Sequence, residues 1–443
     1  MKKVLALLIQ TVWFAAICFA AQANGSGGSP ITLEGRLNCP YISSRGGMVC
    51  LQVAITAKNS WMPRRKPMNL SIVLDRSGSM ADEGKIENAK KALYTLIEQL
   101  GSDDIISIVI YDDVIEVLSG AHKAVNKNAM MRLVAGIYPR GSTNLGGGMM
   151  EGFRQVERNA SNEYVNRVIL LSDGLANQGI TNPAALERIA QRYRARSISL
   201  TTMGVGLDYN ENLMSALSES GGGNYYFIEH ASDLASFVRN ELNALTSVAA
   251  QNASVDLTLG TNVRIKEIIG CEYRVDGNSA VIPVGDIYNG ERREITAVLE
   301  IPEGTKDLLA ASGVLKFESA ESIHLSPSFS VVLHYTNDVA EIETHRDWEV
   351  EGKAGAAIST LRVDQAMNAL DEGNSDKAAA ELQSASVSLS ASPVSIHGGA
   401  GAAAIKGQLQ KMESYISILK DSAGDTRRAK KTIQYDNIVT KMK

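Results

Sequence analysis

The sequence predicts a doubly wound α/β region with a mostly parallel sheet, flanked by a β-sandwich and followed by a helical region. Between residues 67 and 247, short apolar β-rich runs alternate with amphipathic helical segments, which is typical of parallel strands joined by crossover helices. Residues 31–66 and 248–340 instead carry apolar residues at every second position, the period of half-buried strands. Residues 341–425 are rich in alanine and predict helices.

The α/β region contains six predicted strands and six predicted helices. In the first helix, Ile86, Leu93 and Ile97 fall on one face and Lys and Glu on the other, as expected of a helix packed on a sheet. The predicted strands are 70–74, 105–111, 114–118, 167–171, 197–205 and 225–228. The predicted helices are 85–100, 127–137, 145–158, 183–195, 210–218 and 232–245.

The strands before and after this region have the same character. We therefore expect residues 31–66 to supply the amino-terminal strands of one β-sandwich, with the α/β region inserted before residues 248–340 complete it. The period-two alternation is clearest in residues 49–55, 255–259, 297–301 and 328–333.

The amino terminus has the features of a secretory signal peptide over residues 1–23. Lys2-Lys3 precedes an apolar run over 4–20, and Ala-Gln-Ala at 21–23 supplies a cleavage site. A retained membrane anchor is the alternative, but the run is short for a membrane span. Residues 24–30 are rich in Gly and Ser and predict a flexible linker. We therefore expect an exported protein of the periplasm, the cell surface or the medium.

The composition is that of an ordinary globular protein with a small acidic excess. The 443 residues are 44% hydrophobic and 21% charged, which is sufficient for a large core. The 44 basic residues against 49 acidic ones give a formal net charge of −5, which argues against general nucleic-acid binding.

Export makes the cysteines informative, because disulfides form in oxidising compartments. Cys39 and Cys50 flank a Ser- and Gly-rich turn, and we expect them to face each other on a hairpin and form a disulfide. Cys271 is then a small buried thiol.

The carboxyl-terminal part divides into helices and a basic segment. Helices are predicted over 356–370, 376–389 and 402–419. Residues 426–443 hold six Lys and Arg residues against Asp436 alone and predict a solvated basic tail. Contact of this tail with an acidic surface or with anionic lipid is the alternative.

Three segments place oxygen-bearing side chains at predicted strand ends or in loops. The first α/β strand ends in Asp75-x-Ser77-x-Ser79, Thr143 lies in a Gly-rich loop before a helix, and Asp173 follows a later strand. The first segment alone would also suit an ordinary turn. Ligands of open α/β sheets bind at the carboxyl edge of the strands, where the strand order reverses. Hydroxyl and carboxylate oxygens gathered there suit a hard cation such as Mg²⁺.

The set Asp75-x-Ser77-x-Ser79 with Thr143 and Asp173 resembles the metal-ion-dependent adhesion site (MIDAS) of von Willebrand factor type A (VWA) domains. The resemblance covers roughly residues 68–246, and the motif is complete. The wider arrangement, with β-type flanks and an export signal, is similar to exported bacterial VWA proteins and, more distantly, to inter-alpha-trypsin inhibitor heavy chains. This outer resemblance does not extend to the carboxyl-terminal helices.

This resemblance implies a role for each residue. The hydroxyls of Ser77, Ser79 and Thr143 would bind Mg²⁺ (or Mn²⁺), and Asp75 and Asp173 would act through water or hydrogen bonds. Because hydroxyls are neutral, the cation stays electrophilic and one coordination position stays open for a Glu or Asp carboxylate of a partner protein. The resemblance thus implies adhesion or protein–protein interaction.

Two other functions are weighed against this one. The first is an envelope assembly or scaffold protein with a structural metal, and the second is a metal-assisted hydrolase. A hydrolase needs a general base beside the ion, and no HExxH, GxSxG or Cys/His pattern occurs in the sequence. We therefore expect a protein that is not an enzyme. The histidines are scattered outside the motif, at His122, His230, His324, His334, His345 and His397.

An arginine and two pairs of aspartates near the motif are not assigned to the metal site. Arg76 either helps to select the partner or is solvated. Asp103-Asp104 and Asp112-Asp113 are expected to be turn and strand-end residues rather than a second cation site.

Overall fold

The computed structural model describes residues 31–58, 65–318, 326–421 and 426–441. The predicted signal peptide and linker, residues 1–30, and His324 lie outside these ranges. Within them, no helix combines the length and the apolar character needed to cross a membrane.

The described residues form strands and helices in the predicted order. The strands are β1 (Ile31–Leu37), β2 (Tyr41–Ser43), β3 (Gly47–Ala57), β4 (Met68–Asp75), β5 (Ile105–Tyr111), β6 (Ile115–Lys123), β7 (Val165–Ser172), β8 (Ser199–Val205), β9 (Gly222–Ile228), β10 (Val248–Leu259), β11 (Arg264–Ile269), β12 (Arg274–Asp276), β13 (Ser279–Tyr288), β14 (Arg292–Ile301), β15 (Leu308–Glu318) and β16 (Ser328–Thr336). The helices are α1 (Lys85–Gln99), α2 (Lys127–Ala135), α3 (Leu145–Glu157), α4 (Pro183–Arg194), α5 (Glu211–Gly221), α6 (Leu234–Thr246), α7 (Val339–Thr344), α8 (Trp348–Asp371), α9 (Ser375–Ser390), α10 (Gly399–Asp421) and α11 (Thr426–Lys441).

The α/β region is built on a six-stranded sheet in the order β6-β5-β4-β7-β8-β9, in which only β6 runs antiparallel to its neighbour. Every residue of the central strand β4 is buried, because helices cover both faces of the sheet. Helices α1 and α6 share a core with Ile72 on one face. Helices α3, α4 and α5 share a core with Val73 on the other. The strand order reverses between β4 and β7, so a crevice opens at their carboxyl ends.

Two further sheets pack around one common core. The first has the order β1-β3-β14-β11 and the second the order β12-β13-β10-β15-β16-β2. β3 pairs with β14 over ten positions, from Thr56–Arg292 to Gly47–Ile301, so strands from before and after the α/β region share a sheet. Leu51 of the first sheet and Leu257 of the second belong to one buried cluster. The predicted fold class is therefore confirmed.

The predicted disulfide between Cys39 and Cys50 is wrong, since both residues are free cysteines in the structure. The β1–β3 register pairs Leu37 with Leu51 and continues to Asn38, whose N–H donates to the Cys50 carbonyl at 2.9 Å. Cys39 is therefore one position beyond the partner of Cys50. The thiol of Cys39 instead donates to the Ile342 carbonyl.

The predicted basic tail is also wrong, because residues 426–441 form helix α11. Ala429 and Ile433 bury its apolar face, and its cations pair with acidic residues of the same chain. Arg428 lies 2.6 Å from Glu229, and Lys430 lies 2.8 Å from Glu211. Contact of this segment with anionic lipid stays a prediction.

Candidate metal centre

The predicted site residues lie where three segments meet at the carboxyl edge of the parallel sheet. Asp75 ends β4, and Asp173 follows the last residue of the neighbouring strand β7. Thr143 precedes α3, whose first turn is capped by Asn144 through a 3.0 Å bond to the Gly147 N–H. The Gly78 N–H donates to the Gly141 carbonyl at 3.1 Å, which ties the first segment to the loop of Thr143.

Direct contacts connect the oxygen atoms of these segments. The Ser77 and Ser79 hydroxyls lie 3.2 Å apart, and the Ser79 hydroxyl donates to Asp173 Oδ1 at 2.7 Å. Asp75 Oδ1 accepts the Ser77 N–H at 2.8 Å. All four residues therefore belong to one hydrogen-bonded group.

The hydroxyl of Thr143 borders the same space. A Cβ placed on Gly174 would lie 3.4 Å from Thr143 Oγ1 and 3.5 Å from Ser79 Oγ, so the two hydroxyls flank one small volume. The Thr143 N–H donates to Asn177 Oδ1 at 2.9 Å, and the Asn177 N–H donates back to the Thr143 carbonyl at 3.1 Å. This reciprocal pair fixes the orientation of the loop.

The donor set fits a hard divalent cation. Magnesium takes about six oxygen ligands and keeps several waters, so three hydroxyls with two nearby carboxylates are sufficient protein ligands. Within the described ranges, no cluster of three or more His, Cys, Asp or Glu side chains could hold a metal. A centre built here would depend on the hydroxyls of Ser77, Ser79 and Thr143.

Burial sets the electrostatics beneath these hydroxyls. Asp75 is fully buried, and burial raises its pKa to about 6 although hydrogen bonds from Ser77 and Ser172 favour the charged form. Ser172 Oγ donates to Asp75 Oδ2 at 2.8 Å, and the Tyr111 hydroxyl lies 3.3 Å from the same oxygen. A cation close to Asp75 would offset the cost of ionising it.

Sequence reasoning missed four residues that hold the site together: Lys85, Tyr111, Ser172 and Asn177. Lys85 Nζ donates to Asp173 Oδ2 at 2.9 Å. Ser172 and Tyr111 contact the carboxylate of Asp75, and Asn177 accepts the N–H of Thr143. Ser172 is adjacent to a predicted site residue, which is a weak signal. Lys85 and Asp173 are 88 residues apart, so no local pattern connects them.

The expectation that Arg76 is solvated is wrong, and a part of this residue in selecting the partner stays a prediction. Arg76 is buried, and its guanidinium lies 2.9 Å from both Asp112 and Glu116. Asp112 also accepts from Arg140 at 2.7 Å. Asp104 accepts the Met68 and Gly101 N–H groups and stabilises a turn, as the sequence predicts.

Comparisons with known proteins agree with this architecture. Residues 69–240 match the family model of the von Willebrand factor type A domain. The uncharacterised protein YfbK of Escherichia coli (strain K12) is 30% identical over 261 residues, which cover 57% of this chain and 44% of that protein. Inter-alpha-trypsin inhibitor heavy chain H3 of Homo sapiens is 27% identical over 258 residues, which cover 55% of this chain and 28% of that protein. The chain thus spans less than half the length of these two relatives.

A solved structure extends the likeness of fold beyond the α/β region. The von Willebrand factor type A protein from Catenulispora acidiphila superposes with a TM-score of 0.71 at 17% identity, covering 95% of this chain and 98% of its own. At this identity the likeness concerns the fold alone. Together with the family match over residues 69–240, it shows that the α/β region has a fold like that of von Willebrand factor type A domains.

Proposed function

We propose that this chain is an exported binding protein whose VWA domain holds Mg²⁺ (or Mn²⁺) and captures an acidic side chain of a partner protein. The observation that carries the proposal is the hydrogen bond of Ser79 with Asp173 at one edge of the sheet, where the hydroxyls of Thr143 and Ser79 border the same small volume beside Gly174. VWA domains generally mediate protein–protein interaction or adhesion. In this proposal residues 67–247 bind the partner, and residues 31–66 and 248–340 display them.

The ligand set supports recognition of a carboxylate. Ser77, Ser79 and Thr143 would bind the cation through neutral hydroxyls, with Asp75 and Asp173 behind them. A divalent ion held in this way keeps much of its charge, so a Glu or Asp side chain can complete its coordination with a charge-assisted bond. Ser79 is the most exposed of these five side chains, which is consistent with an opening on its side.

The same contacts argue against hydrolysis. A metal-assisted hydrolase needs a base free to take a proton from water. Asp75 accepts hydrogen bonds from Ser172 and from the Ser77 N–H, and Asp173 accepts from Ser79 and Lys85. Both carboxylates are buried and committed to these donors, so neither is positioned as a general base.

The test of this proposal combines metal binding with partner capture. Binding of Mn²⁺ is measured by electron paramagnetic resonance (EPR) for the wild type, for Thr143→Ala and for Ser142→Ala, a neighbouring hydroxyl outside the predicted ligand set. Pull-downs from an envelope extract are run with Mg²⁺ or EDTA. We expect Thr143→Ala to lose both the ion and the Mg²⁺-dependent capture, while Ser142→Ala keeps both.

Two results would contradict the proposed binding function. Wild-type protein that binds no Mn²⁺ would contradict the metal centre. A chain stabilised by Mg²⁺ whose capture of proteins is indifferent to the metal would instead identify a scaffold with a structural ion.

Export is part of the proposal and has its own test. The predicted signal peptide and linker support it. Amino-terminal sequencing of the protein from a fractionated bacterial host should find a mature chain that starts at Asn24 in the periplasm, at the cell surface or in the medium. An intact chain in the cytoplasm would contradict export.

A further inference from the structure

Lys85 places a buried ammonium group directly beside the proposed metal centre. Its Nζ donates to Asp173 Oδ2 at 2.9 Å, while Asp173 Oδ1 accepts the Ser79 hydroxyl at 2.7 Å. The side chain of Lys85 is 4% exposed and that of Asp173 is 0% exposed. One oxygen of Asp173 therefore faces a permanent cation, and the other faces a hydroxyl of the proposed ligand set.

Local rules disfavour a lysine at this position. Lys85 is the first residue of α1, where the helix dipole is positive and favours acidic side chains. Burial of an ammonium group is also costly unless it is paired. Asp173 compensates both costs across 88 residues of sequence. Departures from local rules that are compensated at a distance are expected at functional sites.

The surrounding backbone fixes the direction of the ammonium. Glu83 and Gly84 both adopt left-handed conformations, with φ of 51° and 65°, and turn the chain into α1. On the other side, Gly206 has φ of 77°, and a Cβ there would lie 3.3 Å from Lys85 Cε and 3.5 Å from Nζ. Lys85 thus occupies a narrow slot between the end of β7 and the loop after β8.

We propose that Lys85 is a positioning residue that keeps Asp173 from binding the cation directly and keeps the bound cation electrophilic. This inference rests on the proposed function. With a divalent ion present, the ion and Lys85 supply three positive charges against the two buried carboxylates of Asp75 and Asp173, so one positive charge remains among the buried groups. Glu83 and Asp208 also act on Lys85, but both are exposed to solvent. Without Lys85 the centre would be neutral. A neutral centre holds a metal ion more tightly and attracts an acidic ligand less strongly.

The experiment is Mn²⁺ binding by EPR on the full chain. Lys85→Gln keeps a hydrogen-bond donor for Asp173 but removes the charge, and Lys85→Arg keeps the charge. Lys90→Gln is the matched control, because Lys90 lies on the same helix and pairs with Glu87. We expect Lys85→Gln to bind Mn²⁺ about tenfold more tightly or better. Lys85→Arg keeps the charge and should show no such tightening, and Lys90→Gln should bind as the wild type does.

Unchanged or weaker Mn²⁺ binding by Lys85→Gln would overturn the inference, because loss of a merely structural lysine cannot tighten the site. Should Lys85→Gln fail to fold, the comparison is made in an Asp173→Asn background, where the neutral amide needs no cation. Removal of the Lys85 charge should tighten binding there as well, and equal affinities would overturn the inference. Wild-type protein without Mn²⁺ affinity, or Thr143→Ala with full affinity, would overturn the proposed function and this inference with it.

Discussion

The hydroxyl of Ser79 lies 2.7 Å from Oδ1 of Asp173, although the two residues are 94 positions apart in the sequence. Ser79 follows the central strand β4, and Asp173 follows its parallel neighbour β7. Because parallel strands that pair in register end at the same edge, short loops after them must meet there. The candidate metal centre is thus a direct consequence of the strand order.

The loop that carries Thr143 depends on a glycine. Gly141 has φ of 69°, and a Cβ there would lie 2.0 Å from Asp113 Oδ1. We expect Gly141→Ala to cost roughly 1–2 kcal/mol from the backbone conformation alone, and to weaken Mn²⁺ binding because Thr143 shifts. Urea unfolding and EPR measure the two effects. Gly136→Ala is the control, because Gly136 has ordinary right-handed φ and ψ; equal behaviour of the two variants would contradict this role of Gly141.

A buried ion pair joins the α/β region to the sandwich. Arg167 of β7 is fully buried and lies 2.7 Å from Asp286 of β13 and 3.6 Å from Glu241 of α6. Arg167→Met leaves buried carboxylates without a cation, so we expect a loss of about 3–5 kcal/mol in the free energy of unfolding. Arg196→Met removes an exposed pair with Glu157 and should cost about 0–1 kcal/mol. Similar losses of stability in the two variants would contradict the role of Arg167 in neutralising the buried carboxylates of Asp286 and Glu241.

The attachment of α11 should depend on pH. Burial alone would raise the pKa of Glu211, but hydrogen bonds from Lys430 and Lys431 outweigh it and hold the pKa below its ordinary value of 4.5. The Glu211 carboxylate therefore binds a proton more weakly in the folded state than in the unfolded state. The stability that ionised Glu211 contributes is complete above pH 4.5 and is lost as the pH falls through the lowered pKa of the folded state.

Hydrogen exchange of the α11 amides tests this dependence. Protection should decrease as the solution is acidified below pH 4.5, and Glu211→Gln should reduce protection already at neutral pH and flatten its dependence on pH. An identical acid response in the variant and the wild type would assign the effect to other groups.

The free cysteines can be counted chemically. The wild type, unfolded in iodoacetamide without reductant, should show alkylation of Cys39, Cys50 and Cys271 by mass spectrometry, because the β1–β3 register keeps the first two apart. A disulfide-linked peptide that contains Cys39 and Cys50 would contradict this register.

Local patterns were sufficient for the elements that position the site. The predicted strand before Asp75 agrees with β4, because its apolar residues are buried within the sheet. The predicted helix agrees with α1, because Ile86, Leu93 and Ile97 form one buried face. The order of the segments then predicts which loops share an edge.

Two of the failures concern contacts between distant segments, and a third concerns the register of two neighbouring strands. The predicted tail is a helix because Glu211 and Glu229, some 200 residues away, neutralise its cations. The pairing of Lys85 with Asp173 was missed for the same reason. The Cys39–Cys50 prediction failed because the register beyond β1 places Asn38, rather than Cys39, opposite Cys50.

A crystal structure of the chain grown with Mn²⁺, in which the anomalous signal locates the ion, tests the metal centre directly. We expect one ion bound by the hydroxyls of Ser77, Ser79 and Thr143, with Asp75 and Asp173 behind it and a coordination position that faces solvent. An ion bound elsewhere, or a side chain of the same molecule in that coordination position, would contradict this expectation.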